Sequence, residues 1–195
     1  FGDRVGVIPL GVRDSAAVTV PDAAIAGWRD RLGERFFLFV GALRYYKGLA
    51  HLLEAAEATG YPVAIVGAGE QASELADTVR HRRLANVHLL GAVGDADKLA
   101  LLRAAFGFVF PSDLRSEAFG VALLEAAAES LPLISCEIGT GTSFANIDGE
   151  TGFVLPPGDP VALAAAMRRL WDDPALTARL GHGARARYAA HFTAQ

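Results

Sequence analysis

Phe36-Phe37-Leu38-Phe39-Val40-Gly41-Ala42-Leu43-Arg44-Tyr45-Tyr46-Lys47-Gly48-Leu49 runs from five apolar residues through a glycine and two cations into a helix-period segment. An apolar run without polar alternation is what a strand covered on both faces requires, and the glycine permits a tight turn out of it. The same unit recurs along the chain. Apolar runs at 63–66, 87–90, 108–110, 133–135 and 152–155 alternate with helix-period segments near 48–58, 71–81, 97–105, 121–129 and 161–171. This alternation predicts an α/β domain, a doubly wound Rossmann-like parallel sheet with helices on both faces. A last helix is expected after Pro174, since Asp159-Pro160 and Asp173-Pro174 each set a capping carboxylate before a proline of the first turn. Before the first unit, 5–12 reads as a strand and 13–35 as a loop with a short helix.

Composition narrows the function classes. A chain of 195 residues, 52% hydrophobic and 21% charged, fits one ordinary globular domain with a real core. No apolar run reaches the roughly 18 to 20 residues of a membrane-spanning helix, and 1–10 lacks a signal-peptide layout. The single cysteine, Cys136, excludes an internal disulfide and suits a reducing compartment, so a cytoplasmic location is expected. A net charge of -4 spread along the chain argues against a nucleic-acid partner. The cluster Arg80, Arg82 and Arg83 reads as a solvated helix end, with cations near the negative pole of the dipole.

A sheet of this kind binds ligands in the loops at the carboxyl ends of its strands, here beginning at Gly41, Gly67, Gly91, Pro111, Cys136 and Pro156. The richest of these is Pro111-Ser112-Asp113-Leu114-Arg115-Ser116-Glu117-Ala118-Phe119-Gly120-Val121-Ala122-Leu123-Leu124-Glu125-Ala126. The amides of Phe119, Gly120 and Val121 fall at a helix N-terminus, where free donors and the dipole suit a diphosphate or a sugar hydroxyl. Glu117 before the helix and Glu125 inside it offer acceptors for sugar hydroxyls. On spacing alone, a capped helix with two solvated glutamates fits equally. In the first loop, Arg44 and Lys47 sit just before a helix, and of 18 lysines and arginines only Lys47 and Lys98 are lysines. A compact ammonium and a guanidinium fork both suit a pyrophosphate, while exposed loop charges are the plainer reading.

Taken together, these segments resemble the donor-binding domain of the family-four retaining glycosyltransferases. That family has the two-domain GT-B fold and includes bacterial mannosyltransferase-like and glycogen synthase-like members. The matching stretches are Val7-Ile8-Pro9-Leu10-Gly11-Val12, the loop from Gly41 to Gly48, the glutamate pair Glu117 and Glu125 with Ala126 and then Leu131-Pro132, and Gly149-Glu150-Thr151-Gly152-Phe153-Val154-Leu155-Pro156-Pro157-Gly158-Asp159-Pro160. The resemblance implies that Arg44 and Lys47 bind the donor diphosphate, Glu117 contacts the transferred sugar and Glu125 holds the ribose. Gly41, Gly67, Gly69 and Val93 are expected to line the nucleotide with Phe119, Gly120 and Val121. It implies a nucleotide-sugar donor, first GDP-mannose, and transfer to a sugar or lipid-linked acceptor with retention, without metal or other cofactor. It also implies a division into 1–35, the interdomain strand and linker, and 36–195, the donor domain. The N-terminal acceptor domain is then absent from this chain, and any membrane contact runs through that missing half.

Two positions depart from the family pattern. Ala42 stands where an arginine follows the strand glycine, and Ser130 stands where a glycine ends the helix after the second glutamate, which predicts loss of a left-handed cap. The run Gly139-Thr140-Gly141-Thr142-Ser143-Phe144 resembles a variant loop of mannosyltransferase-like members; contact of its hydroxyls with the donor and an ordinary glycine-rich turn are equally open readings. Two other readings compete. Gly67-Ala68-Gly69 after a strand suggests an NAD-type dinucleotide-binding oxidoreductase, but Val87-His88-Leu89-Leu90-Gly91-Ala92 offers no acidic residue for the ribose. A non-catalytic nucleotide-sugar-binding module is the other, against which the intact Lys47, Glu117 and Glu125 speak.

Overall fold

A computed structural model describes residues 11–193. Six strands, β1 (Phe37–Val40), β2 (Val63–Val66), β3 (Val87–Gly91), β4 (Gly107–Phe110), β5 (Leu133–Cys136) and β6 (Gly152–Leu155), form one sheet in the order β3-β2-β1-β4-β5-β6. Every pairing is parallel, with Phe37 opposite both Val63 and Gly107. The side chains of β2, β4 and β5 are buried throughout, whereas the edge strand β3 is only part-buried. The chain walks outward from β1 to β3, returns to place β4 beside β1, and walks out again. The loops after β1 and β4 therefore leave the sheet in opposite directions, and the crevice between them is the switch point of the fold.

Eight helices accompany the strands: α1 (Asp22–Leu32), α2 (Leu49–Thr59), α3 (Ala72–Arg82), α4 (Asp95–Ala104), α5 (Val121–Ala128), α6 (Thr142–Ala145), α7 (Pro160–Asp172) and α8 (Pro174–His191). They cover both faces: α2 packs on α7 and α3, α1 on α4, and α5 on α8. Asp159 and Asp173 cap α7 and α8 as the Asp-Pro pairs predict, through bonds from Ala162 N and Leu176 N. The expected strand at 5–12 lies outside the described residues except for its last two; Val12 N donates to Phe192 O at 2.8 Å. Within 13–35, α1 is a full 11-residue helix that buries Trp28 and Leu32.

Three of the differences from the expected boundaries have a local cause. The helix α2 begins at Leu49 because Gly48, at φ 63, is left-handed and cannot lie within it. The helix α4 begins at Asp95, where extended Gly94 admits Asp95 and Asp97 to the first turn, near the positive end of the dipole. The expected glycine-rich loop at 139–144 already contains the start of α6.

The expected loss of a left-handed cap at Ser130 is overturned. Ser130 itself adopts φ 62, its N–H donates to Ala127 O, and Leu131 N donates to Ala126 O. This is a complete Schellman closure held by a non-glycine residue. The close seat of the Ser130 carbonyl over Gly181 of α8 shows what the serine must satisfy; a Cβ at Gly181 would lie 2.2 Å from that oxygen. Ser130→Gly is therefore expected to stabilise the fold by about 0.5 to 1 kcal/mol, read by chemical denaturation. An unchanged or lower midpoint would show that the cap is not strained.

His88, on β3, has its pKa held below the ordinary 6.5 by burial and then by the charge of Arg31. The folded state thus binds its proton later than the unfolded chain does as pH falls. Stability should drop from about pH 6.5 downward until the folded form also titrates. His88→Gln is expected to flatten that part of the stability-pH profile, and an unaltered slope would reassign it.

Candidate functional site

The loop after β1 passes through a single turn, Tyr45–Lys47, and ends at left-handed Gly48. A Cβ at Gly48 would lie 2.0 Å from Pro111 O, so this glycine lets the β1 loop rest directly on the β4 loop. That contact carries Lys47 inward. Its side chain is 9% exposed, and its ammonium donates to Glu117 Oε2 of the β4 loop, itself 11% exposed. Ser112 Oγ lies 3.4 Å from the same carboxylate oxygen. The ammonium also sits 4.5 Å from the centre of the Phe110 ring, and a Cβ at Gly120 would lie 3.0 Å from the edge of that ring. Gly41 borders the pocket: a Cβ there would stand 3.8 Å from Lys47 Nζ.

Gly120 is left-handed at φ 81 and precedes α5, which starts at Val121 as expected. Among the described residues, no backbone bond uses the N–H of Phe119, Gly120 or Val121. Free donors, the positive end of a helix and a nearly dehydrated ammonium thus converge beside one carboxylate. Such an arrangement neutralises a bound anion and accepts hydrogen bonds from a polyol, the requirements of a sugar carried on a phosphate. The loop is propped from β5, since Gly141 N donates to Ala118 O and a Cβ on Gly141 would lie 2.4 Å from Phe119 Cδ2. Under it, buried Asn146 donates to Ser135 Oγ and Phe153 O, and accepts from Thr151.

Glu125 faces a different partner. Its Oε1 accepts a 2.8 Å bond from Lys98 Nζ of α4, and both line a cavity of about 350 Å³ with Asp14, Ser15 and Leu99. Burial works against the charge of Lys98, yet its bond to Glu125 and the charges of Glu125 and Asp95 hold its pKa above the ordinary value. Sequence reasoning singled out Lys98 only as a rare lysine; its position four residues after Gly94 on the β3–α4 connection was the available signal. Half-buried Val93 lies on that same connection.

Arg44 and the β2-loop glycines are placed differently from Lys47. Arg44 reaches Glu70 at 3.9 Å, with both side chains more than half exposed. A Cβ at Gly67 would lie 1.8 Å from Gly41 O, and one at Gly69 would lie 2.4 Å from Leu43 O. On their Cβ side these glycines therefore admit the neighbouring β1 loop. Cys136 is buried, with its thiol pushed up to about 12 by burial and then by Asp113 and Asp159, so it stays protonated and inert as a nucleophile. Among the described residues no group of three or more His, Cys, Asp or Glu could hold a metal ion, and no helix is long and apolar enough to cross a membrane.

Residues 23–187 match the family described as Glycosyl transferases group 1. Over 194 residues the chain is 50% identical to the D-rhamnosyltransferase WbpZ of Pseudomonas aeruginosa, covering 100% of this chain and 51% of that protein. It is 48% identical over 194 residues to the O-antigen chain mannosyltransferase C of Escherichia coli, covering 100% and 52%. The chain spans about half the length of the curated relatives it matches. Its fold superposes on Anabaena HepE, solved in complex with UDP, with a TM-score of 0.84 at 22% identity over 96% of this chain and 53% of that one. The chain belongs to the group 1 glycosyl transferases and forms a parallel α/β domain of the GT-B type.

Proposed function

We propose that this chain is the donor-binding half of a retaining hexosyltransferase that uses a nucleoside-diphosphate sugar. The observation that carries the reading is the buried Lys47–Glu117 pair beside the free amides before α5. Lys47 and those amides would take the diphosphate and stabilise its charge as it leaves the anomeric carbon, the term the protein must supply in such a transfer. Arg44, whose exposed pairing with Glu70 is weak, would swing to the same phosphates. Glu117 would hold hydroxyls of the transferred sugar. Glu125, oriented by Lys98, would take the ribose diol, and Val93 would border the base.

The relatives' names favour a sugar of manno configuration, since D-rhamnose is 6-deoxymannose, and GDP-mannose is the first donor to test. HepE, whose structure contains UDP, keeps a uridine donor in the panel. The acceptor, a sugar or lipid-linked sugar, would be held by the remaining half of the full-length protein, whose closure over the donor aligns the reacting atoms. Calorimetric titration of the chain should give tighter binding of GDP than of GMP, by about tenfold or more, because the cation and amides would engage the second phosphate. Equal affinities would remove the phosphate-loop assignment. A parallel panel of GDP-mannose and UDP-glucose would then rank base and sugar.

A further inference from the structure

His51 is the third residue of α2 and lies outside every contact assigned above to the donor. Its Nε2 is 3.2 Å from Asp113 Oδ2, and the two side chains are 30% and 20% exposed. The backbone N–H of the same Asp113 donates to Tyr46 O at 3.1 Å. Asp113 therefore grips the chain on both sides of Lys47, at Tyr46 of the β1 loop and at His51 of α2. Four residues later in the same β4 loop comes Glu117.

Among the described residues neither side chain has another hydrogen-bond partner: His51 Nδ1 and Asp113 Oδ1 are enclosed and unbonded, so the Nε2–Oδ2 contact is the one side-chain bond that each makes. Losing it would leave a part-buried carboxylate without its one side-chain partner, which drives the β4 loop outward toward water. Gly158, in the β6–α7 connection, borders the imidazole: a Cβ there would sit 3.8 Å from Nε2, in ordinary contact.

We propose that His51 and Asp113 are positioning residues, a strap that locks the Glu117 loop onto the Lys47 loop and so presets the diphosphate site. The test uses the wild-type chain, His51→Leu, which removes the donor, and His51→Gln, which keeps one for Asp113. Hydrogen exchange of the ligand-free proteins reads the strap directly. His51→Leu should raise exchange across 111–120 about tenfold relative to the rest of the sheet, and His51→Gln should restore it. The second readout rests on the diphosphate reading above: the GDP-over-GMP preference should fall several-fold in His51→Leu and recover in His51→Gln, which a role in overall stability alone would not produce. Unchanged exchange in 111–120 for His51→Leu would overturn the proposal, as would failure of His51→Gln to rescue it. Should His51→Leu not fold, Asp113→Ala, which removes the acceptor, carries the same comparison of exchange across 111–120. Wild-type protein that binds neither nucleotide would sink the donor-site reading while the exchange data still decide the strap.

Discussion

Glu117→Ala is expected to cost about 3 kcal/mol of folding stability and, at the same time, to make the protein more responsive to nucleoside diphosphate. Lys47 and Glu117 are close to dehydrated, so removing the carboxylate leaves an ammonium that neither water nor another acid compensates. The Phe110 ring face returns only part of that loss. Deleting both charges, as Lys47→Met with Glu117→Leu, should cost less than the single change, because no buried charge then remains. A diphosphate supplies the missing negative charge, so GDP should raise the unfolding midpoint of Glu117→Ala more than that of wild type. It should raise that of Lys47→Ala less, with binding weakened by about 1 to 3 kcal/mol. Denaturant titration with and without GDP reads all of these. A Glu117→Ala protein as stable as wild type would place the pair on the surface, and equal GDP shifts in the three proteins would separate Lys47 from the phosphates.

Much of this was legible in the sequence because the signals were local. The apolar runs gave all six strands, since a buried parallel strand needs no partner information to be recognised. Asp159 and Asp173 announced two helix starts through side chain and proline alone. Lys47 and Glu117 were each found by motif, but their meeting was not, because 70 residues separate them and only the sheet order brings their loops together. Lys98 was missed as the partner of Glu125 for the same reason. Ser130 was misread because composition records the absence of glycine, whereas the packing of Gly181 beneath it fixes the backbone whatever residue stands there. Gly67 and Gly69 were legible as points of close approach, but the residue type does not name the neighbour, which on their Cβ side is the backbone of Gly41 and Leu43.

Gly48→Ala should be the most damaging small substitution at the crevice. Two terms act there, and a second glycine separates them. Gly48 and Gly60, at opposite ends of α2, are both left-handed, at φ 63 and φ 71. An alanine at either must hold a conformation that L residues disfavour by roughly 1 to 2 kcal/mol. At Gly60 a Cβ would meet nothing within 4 Å, so Gly60→Ala should lose only that amount. At Gly48 the Cβ would stand 2.0 Å from the carbonyl oxygen of buried Pro111, a backbone atom that has no rotamer to change. Relief requires the β1 and β4 loops to separate, which breaks the Asp113–Tyr46 bond and draws Lys47 away from Glu117. The total for Gly48→Ala should exceed about 3 kcal/mol, in the range reserved for overpacking combined with a broken buried network. What folded protein remains should have lost most of its preference for GDP over GMP. Denaturation midpoints of the two alanine variants, measured side by side, decide the matter. Equal losses at the two glycines would mean that the loops already have room between them, and that the crevice is not held by direct backbone contact.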